Sequence, residues 1–342
     1  MQLYWKDIEN YGAPWSGLAI CVDAQDSPKP QLRLETGATR RIKLLNQENV
    51  IFWATIAADY SGVPILKTLK PLTVGEMTIR PITSSTVEAL RNLHGREKLK
   101  QWCRVFIKEL KTSPSSFLYN GLWLMTGFLP KKSTKPWALG SISDPRQFGY
   151  QYLYEAHDAL KPDHLSYIDW WANNGSGQLI NLKMPDKSDG RLRWWRKKVR
   201  ENSLPPILIW YLNCLDAYVI VDGHIRLLAA YLEDYVPEFI AIYSAHSTKV
   251  TPDPEKQEKI FQSLTHQQIL KRHKPISAET LNDVLIRAFD DRPYLTPKTT
   301  AWATIRSDEA WQQEVQQFLR TVDQEDAGEL LDLIIDHSTK AQ

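Results

Sequence analysis

The chain has 342 residues, 43% of them hydrophobic and 24% charged; these globular proportions leave no segment polar enough for an extended disordered tail. Forty-two Lys and Arg against 40 Asp and Glu give a net charge of +2, without the basic footprint of a dedicated nucleic-acid binder. Three scattered cysteines, Cys21, Cys103 and Cys214, form no Cys-x-x-Cys pair, so neither a disulfide framework nor a structural zinc site is expected.

The length predicts two or three packed units. The opening residues Met1–Asp7 have neither a basic nor an apolar leader character, and no run of about 18 apolar residues occurs, so a cytoplasmic protein without a membrane partner is expected. Thirteen tryptophans call for a large core or a large protein interface.

From Gln31 to about Ile82, short apolar runs alternate with Gly, Pro and Asn breaks. Strands are predicted at Arg41–Leu45, Asn49–Ile56 and Met77–Arg80. Ser85 with Glu88 reads as a capping box. Leu99, Trp102, Cys103, Phe106, Ile107 and Leu110 then recur at helical spacing until Pro114, in one helix or two broken at Gly95. Residues 1–115 thus form an α+β region. Residues 116–184 are irregular and aromatic-rich, with Phe148, Tyr150 and the pair Trp170-Trp171 among them. Asn173–Gly177 is a turn by composition.

The stretch from Gly190 to Ala241 has denser local grammar. Arg191–Glu201 is a helix candidate with six basic residues in eleven positions and the pair Trp194-Trp195. Pro205-Pro206 stops it. Ile207–Tyr211 and Ala217–Val221 read as a hairpin, and Asp222-Gly223 ends its second strand and leads into a helix from His224 to about Asp234. A strand follows from Pro237. The free amides of the first turn of the His224 helix make an anion site. Gly223 allows a ligand close to the backbone, and Arg226 offers a planar fork for phosphate or carboxylate. His224 is suited to proton transfer near neutral pH, and Asp222 to capping the helix, orienting His224 or acting as a base.

His246–Pro254 reads as a linker, followed by helices over Glu255–Lys271, after Ser277 and after Ser307, and an acidic, apolar one from Asp326 to Asp336. The other histidines are scattered; His266 and His273 would supply two ligands at best, and no metal is expected.

Pro205–Ile209 and Tyr218–Ala230, with the turn Val221-Asp222-Gly223-His224-Ile225-Arg226 at their centre, resemble the ParB/sulfiredoxin superfamily, whose members share a Pro-Ile strand and a Gly-x-x-Arg turn leading into an alanine-containing helix. The resemblance implies an α+β chain with a central ParB/sulfiredoxin-like domain over residues 185–250, between the region of residues 1–184 and a helical C-terminal region over 255–342. It implies a nucleotide or phosphate at Gly223, His224 and Arg226. Arg191, Arg193 and Arg196 of the preceding helix are further candidates for that pocket. His224 stands where sulfiredoxins need their cysteine, so sulfiredoxin activity is not expected, and apolar Ile225 replaces a commonly polar residue.

Trp194–Lys197, Leu204–Pro206 and Val221–His224 also resemble bacterial proteins encoded beside polymorphic toxins. Together these features favour an immunity-type protein that binds and neutralises a cognate toxin, needing no cofactor. The alternative is a nucleotide- or phosphate-binding enzyme or sensor, using a nucleoside triphosphate with magnesium and Asp222 or His224 as acid/base.

Overall fold

Apolar runs in period-two alternation, and a few that are apolar on both faces, give the chain its strands, which in the computed structural model build two sheets. The structure describes residues 1–9, 14–24, 28–71, 73–132, 137–143, 152–171, 177–249, 251, 253–270, 277–289, 294–322, 332 and 334–335. Phe148, Tyr150, residues 173–176 of the expected turn, His273 and most of the expected last helix, Asp326–Asp336, lie outside the described residues.

The first third of the chain forms β1 (Gln2–Ile8), β2 (Gly17–Asp23), β3 (Leu32–Thr36), β4 (Arg41–Asn46), β5 (Asn49–Thr55) and β6 (Gly62–Lys67), then α1 (Ser84–Leu90) and α2 (Gly95–Thr112). The middle adds β7 (Gly121–Pro130), β8 (Leu139–Ser141), β9 (Tyr152–Leu153), β10 (Leu165–Asp169) and β11 (Gln178–Ile180). Next come α3 (Arg191–Arg200), β12 (Ile207–Leu212), β13 (Ala217–Asp222), α4 (His224–Leu232) and β14 (Phe239–Thr248). Last are α5 (Pro254–Leu270), α6 (Ala278–Ala288), β15 (Tyr294–Pro297), β16 (Ala301–Ala303) and α7 (Asp308–Leu319). The content is mixed α+β.

One sheet runs β1-β2-β7-β14-β12-β13-β11, with β8 attached to β7. It draws strands from each of the segments 1–115, 116–184 and 185–250. Along this path β12 with β14 and β11 with β13 are parallel and the other neighbours antiparallel. The other sheet runs β10-β6-β5-β4-β3-β16, with β16 parallel to β3.

The chain divides into two compact units, Met1–Ala245 with Pro297–Gln342, and His246–Thr296. In the smaller unit Ser277 caps α6, its Oγ accepting the Thr280 amide at 3.1 Å. In the larger one, Leu208, Trp210 and Leu212 of β12 and Val219 and Val221 of β13 join Leu34, Leu44, Phe52 and Ile65 of the other sheet in one buried cluster. Trp102, Phe106 and Leu110 of α2 belong to it too. The opposite face of β12 (Ile207, Ile209, Tyr211) is also buried, which is why that strand reads as an unbroken apolar run. Phe117 stacks on Trp210 at 4.6 Å, and Trp102, Trp123 and Trp311 are among the largest fully buried side chains; much of the tryptophan content is core.

Three local expectations are corrected. Met77–Arg80 is not a strand: the single 3-10 turn Val74–Glu76 and Pro81 bracket it and leave no length for a ladder. The cap of α1 is Thr83, whose Oγ1 accepts the Thr86 amide at 3.3 Å, while Glu88 accepts from Lys198 at 2.6 Å. The stretch read as a linker from His246 begins inside β14, which continues to Thr248.

Candidate functional site

The site grows out of the junction between β13 and α4. Gly223 is the residue before α4 and has φ 112° and ψ 16°, a left-handed conformation that side-chain-bearing residues adopt only with strain. A Cβ there would meet Arg226 Nη2 at 2.9 Å and Ile207 Cγ2 at 3.1 Å. The Gly223 carbonyl accepts the Leu227 amide at 2.8 Å, and among the described residues no side chain caps the helix. The amides of its first turn are therefore left to whatever lies above the glycine.

Arg226 is 3% exposed and folds back onto the junction. Its Nη2 donates to Asp222 Oδ2 at 2.8 Å and to the Pro206 carbonyl at 3.0 Å, and its guanidinium carbon lies 5.5 Å from the centre of the Trp195 ring. The fork clamps the start of β12, the end of β13 and α3 together, and its Nε is buried without a partner among the described residues. His224 is buried beneath the turn, and its Nε2 accepts the Leu182 amide at 3.3 Å. Burial, reinforced by the positive charges of Lys183 and Arg226, holds its pKa well below the usual 6.5. The ring is neutral, with its lone pair committed to the backbone.

Above the glycine lies a cavity of about 120 Å³ lined by Val221–Arg226, Trp195, Arg191, Asp189, Lys183 and Met77–Ile79. Arg191 donates to the Ile82 carbonyl at 2.6 Å and lies 5.1 Å from the Trp195 ring. Asp189 accepts the Arg191 amide at 2.8 Å. Three cations, Lys183, Arg191 and Arg226, thus face two carboxylates, of which Asp222 is paired with Arg226. With the positive end of α4 added, the cavity favours an anion.

Of the seven residues singled out from sequence, Arg191, Asp222, Gly223, His224 and Arg226 come together here; Arg193 and Arg196 do not. Helical spacing puts Arg191 and Trp195, four residues apart, on the face of α3 that lines the cavity. Arg193 is exposed and lies outside the lining. Arg196 donates to Glu233 at 2.6 Å and Arg200 to the same oxygen at 2.8 Å, at the far end of α4. Lys183 and the Met77–Ile79 segment were missed: they reach the cavity through tertiary packing, and nothing in their local sequence marks them.

A phosphate group fits the cavity, whereas 120 Å³ is well below the roughly 300 to 1,000 Å³ of pockets that enclose a whole small ligand. The sugar and base of a nucleotide would lie outside it. Among the described residues no group of three or more His, Cys, Asp or Glu side chains is arranged to hold a metal, and no helix is long and apolar enough to cross a membrane. Comparisons of the chain with known protein families, with curated proteins and with solved structures returned no match.

Proposed function

We propose that the protein binds a phosphate-bearing ligand at the Gly223 turn and acts as a sensor or binding protein of ParB/sulfiredoxin type rather than as an acid/base enzyme. The observation that carries this is the excess of cations around the uncapped first turn of α4, with Lys183 paired to no carboxylate among the described residues. The two groups that an enzyme would use are committed elsewhere, Asp222 to Arg226 and the His224 lone pair to the Leu182 amide. Lys183 and the α4 amides hold the phosphate oxygens, and Arg191 and Arg226 add charge from the walls. Inorganic phosphate, and more strongly a nucleoside triphosphate, should raise the melting temperature of the wild-type protein. Lys183→Ala should lower the affinity about tenfold, the loss of one charge-assisted bond; equal responses in both proteins would remove the site.

A second reading, the immunity-type protein that binds a cognate toxin, is favoured by a separate feature. Tyr60, Tyr167 and Trp171 are exposed, Trp171 at 75%. They gather at one end of the free edge of the second sheet, where Ser61 bonds the Tyr167 hydroxyl at 3.0 Å and its carbonyl accepts the Trp170 amide at 3.0 Å. Exposed Trp and Tyr are the residues that carry binding energy in protein interfaces. Under this reading a toxin encoded beside the gene co-elutes with the protein, and Trp171→Ala weakens the complex by about 2 kcal/mol, the scale of an interface hot spot, while Lys183→Ala leaves it unchanged.

A further inference from the structure

Lys67, the last residue of β6, is 6% exposed. Strand alternation sends it to the same side as Val63 and Ile65, which are core residues. Its Nζ donates to Asn181 Oδ1 at 3.1 Å, a neutral acceptor; among the described residues no carboxylate pairs with it. Burial pushes its pKa down to about 8, with the charge of Asp163 acting in the opposite direction. A buried amine without a carboxylate partner is a costly arrangement unless the amine has a use.

Lys67 lines a cavity of about 240 Å³ between β10, the edge of one sheet, and β11, the edge of the other. The Ser166 hydroxyl, also in its lining, is buried with no partner among the described residues. The rim carries Glu155, Asp158 and Asp163 against Lys161, which is paired with Asp158 at 3.1 Å. The mouth is therefore negative and the floor holds an amine and an unused hydroxyl. None of these residues lines the Gly223 cavity, so chemistry at Lys67 does not depend on phosphate binding at the turn.

We propose that this cavity admits an uncharged or cationic aldehyde or ketone and that Lys67 condenses with it to form an imine. The neutral amine adds to the carbonyl carbon, forming the C–N bond, while Ser166 donates a hydrogen bond to the carbonyl oxygen. The carbinolamine then loses that oxygen as water and leaves a C=N bond to Nζ. No electron leaves or enters, and the proton first released by the ammonium passes to solvent. The acidic rim disfavours keto acids.

The test uses the intact wild-type protein near pH 7.5 with propanal and cyanoborohydride, whose hydride reduces the imine carbon to a stable secondary amine, followed by peptide mass mapping. Lys67 should be alkylated at least about tenfold faster than the exposed Lys70 and Lys161, because its pKa of about 8 leaves a sizeable share of its amine neutral at that pH and the Ser166 hydroxyl stands beside it in the cavity to polarise the carbonyl. The preference should vanish in urea. Pyruvate should label Lys67 at least about tenfold more slowly than propanal, since the carboxylate rim repels it. Labelling of Lys67 no faster than of Lys161, or faster with pyruvate than with propanal, would overturn the proposal.

Discussion

A histidine at the start of a helix beside a glycine turn invites an acid/base role, but His224 lies beneath the turn with Nε2 bonded to the Leu182 amide. Its consequence is pH-dependent stability. The unfolded chain protonates this ring near 6.5 while the folded one resists protonation to a much lower pH, so below about 6.5 the unfolded state binds the extra proton. Stability is full above that pH and declines as pH falls, by at most about 1.4 kcal/mol per pH unit. His224→Gln keeps an acceptor for the Leu182 amide and removes the titration. Its urea midpoint should therefore fall less between pH 7 and pH 5 than that of wild type; parallel profiles would contradict a neutral buried ring. Carboxylates held below their usual range, such as Glu76 and Asp308, lose their contribution at lower pH and leave this window clear. At this scale Asp222, Gly223 and Arg226 were legible because a strand, Asp-Gly and an arginine one turn on are a local pattern. That Arg226 would spend its fork on Asp222 and the Pro206 carbonyl was not, since Pro206 is distant in sequence.

Among the elements, α7 shows how a helix is fixed by one buried cation. Trp311, Val315, Phe318 and Leu319 pack with Trp53 and Leu66 in a cluster of their own. Beneath them the Arg41 side chain is fully buried. It donates to Asp308 at 2.6 and 3.2 Å and to the carbonyls of Ile334 and Ile335 at 2.9 and 3.1 Å, with its guanidinium 4.4 Å from the Trp311 ring. Arg41→Ala takes the cation from the Asp308 carboxylate, which among the described residues keeps only Thr39 and Gln312 as donors, and removes one donor each from the Ile334 and Ile335 carbonyls, and should cost about 3 kcal/mol, as expected for breaking a largely buried pair. The loss should show as faster hydrogen exchange in α7 at equal global conditions; unchanged exchange there would mean that apolar packing alone holds the helix. Most element types were legible, and Ser277 and Ser307 announced the caps of α6 and α7; the stop of α3 was not, since the helix ends at Arg200, just ahead of the left-handed Asn202 and well before Pro205-Pro206. Thr83 was hidden in the run Thr83-Ser84-Ser85-Thr86, where every residue can cap, and Glu88 was drawn off by Lys198 of α3, distant in sequence.

At the scale of the whole molecule, residues 246–296 interrupt the larger unit, and the chain leaves and re-enters it at one point. The Lys298 amide donates to the Ser244 carbonyl at 2.9 Å, the Asn213 amide to Thr299 Oγ1 at 2.8 Å, and the Thr300 amide to the Tyr119 hydroxyl at 3.0 Å. The hydroxyls of Tyr119 and Ser244 are themselves hydrogen-bonded. The exit was misplaced, since the tract read as a linker from His246 starts within β14; the return was not legible at all, because β16 is three residues long and finds its parallel partner at Leu34–Thr36, far away in sequence. An insertion whose ends already touch contributes little to closing the fold around it, since loop-closure entropy grows only slowly with length. Replacing 246–296 by a short Gly/Ser linker should therefore leave the larger unit folded, with a single cooperative melt followed by circular dichroism and the phosphate response of the Gly223 cavity retained. A deletion protein that melts without cooperativity would show that the larger unit needs the inserted one, and that the hydrogen bonds at Ser244 and Lys298 do not suffice to close it.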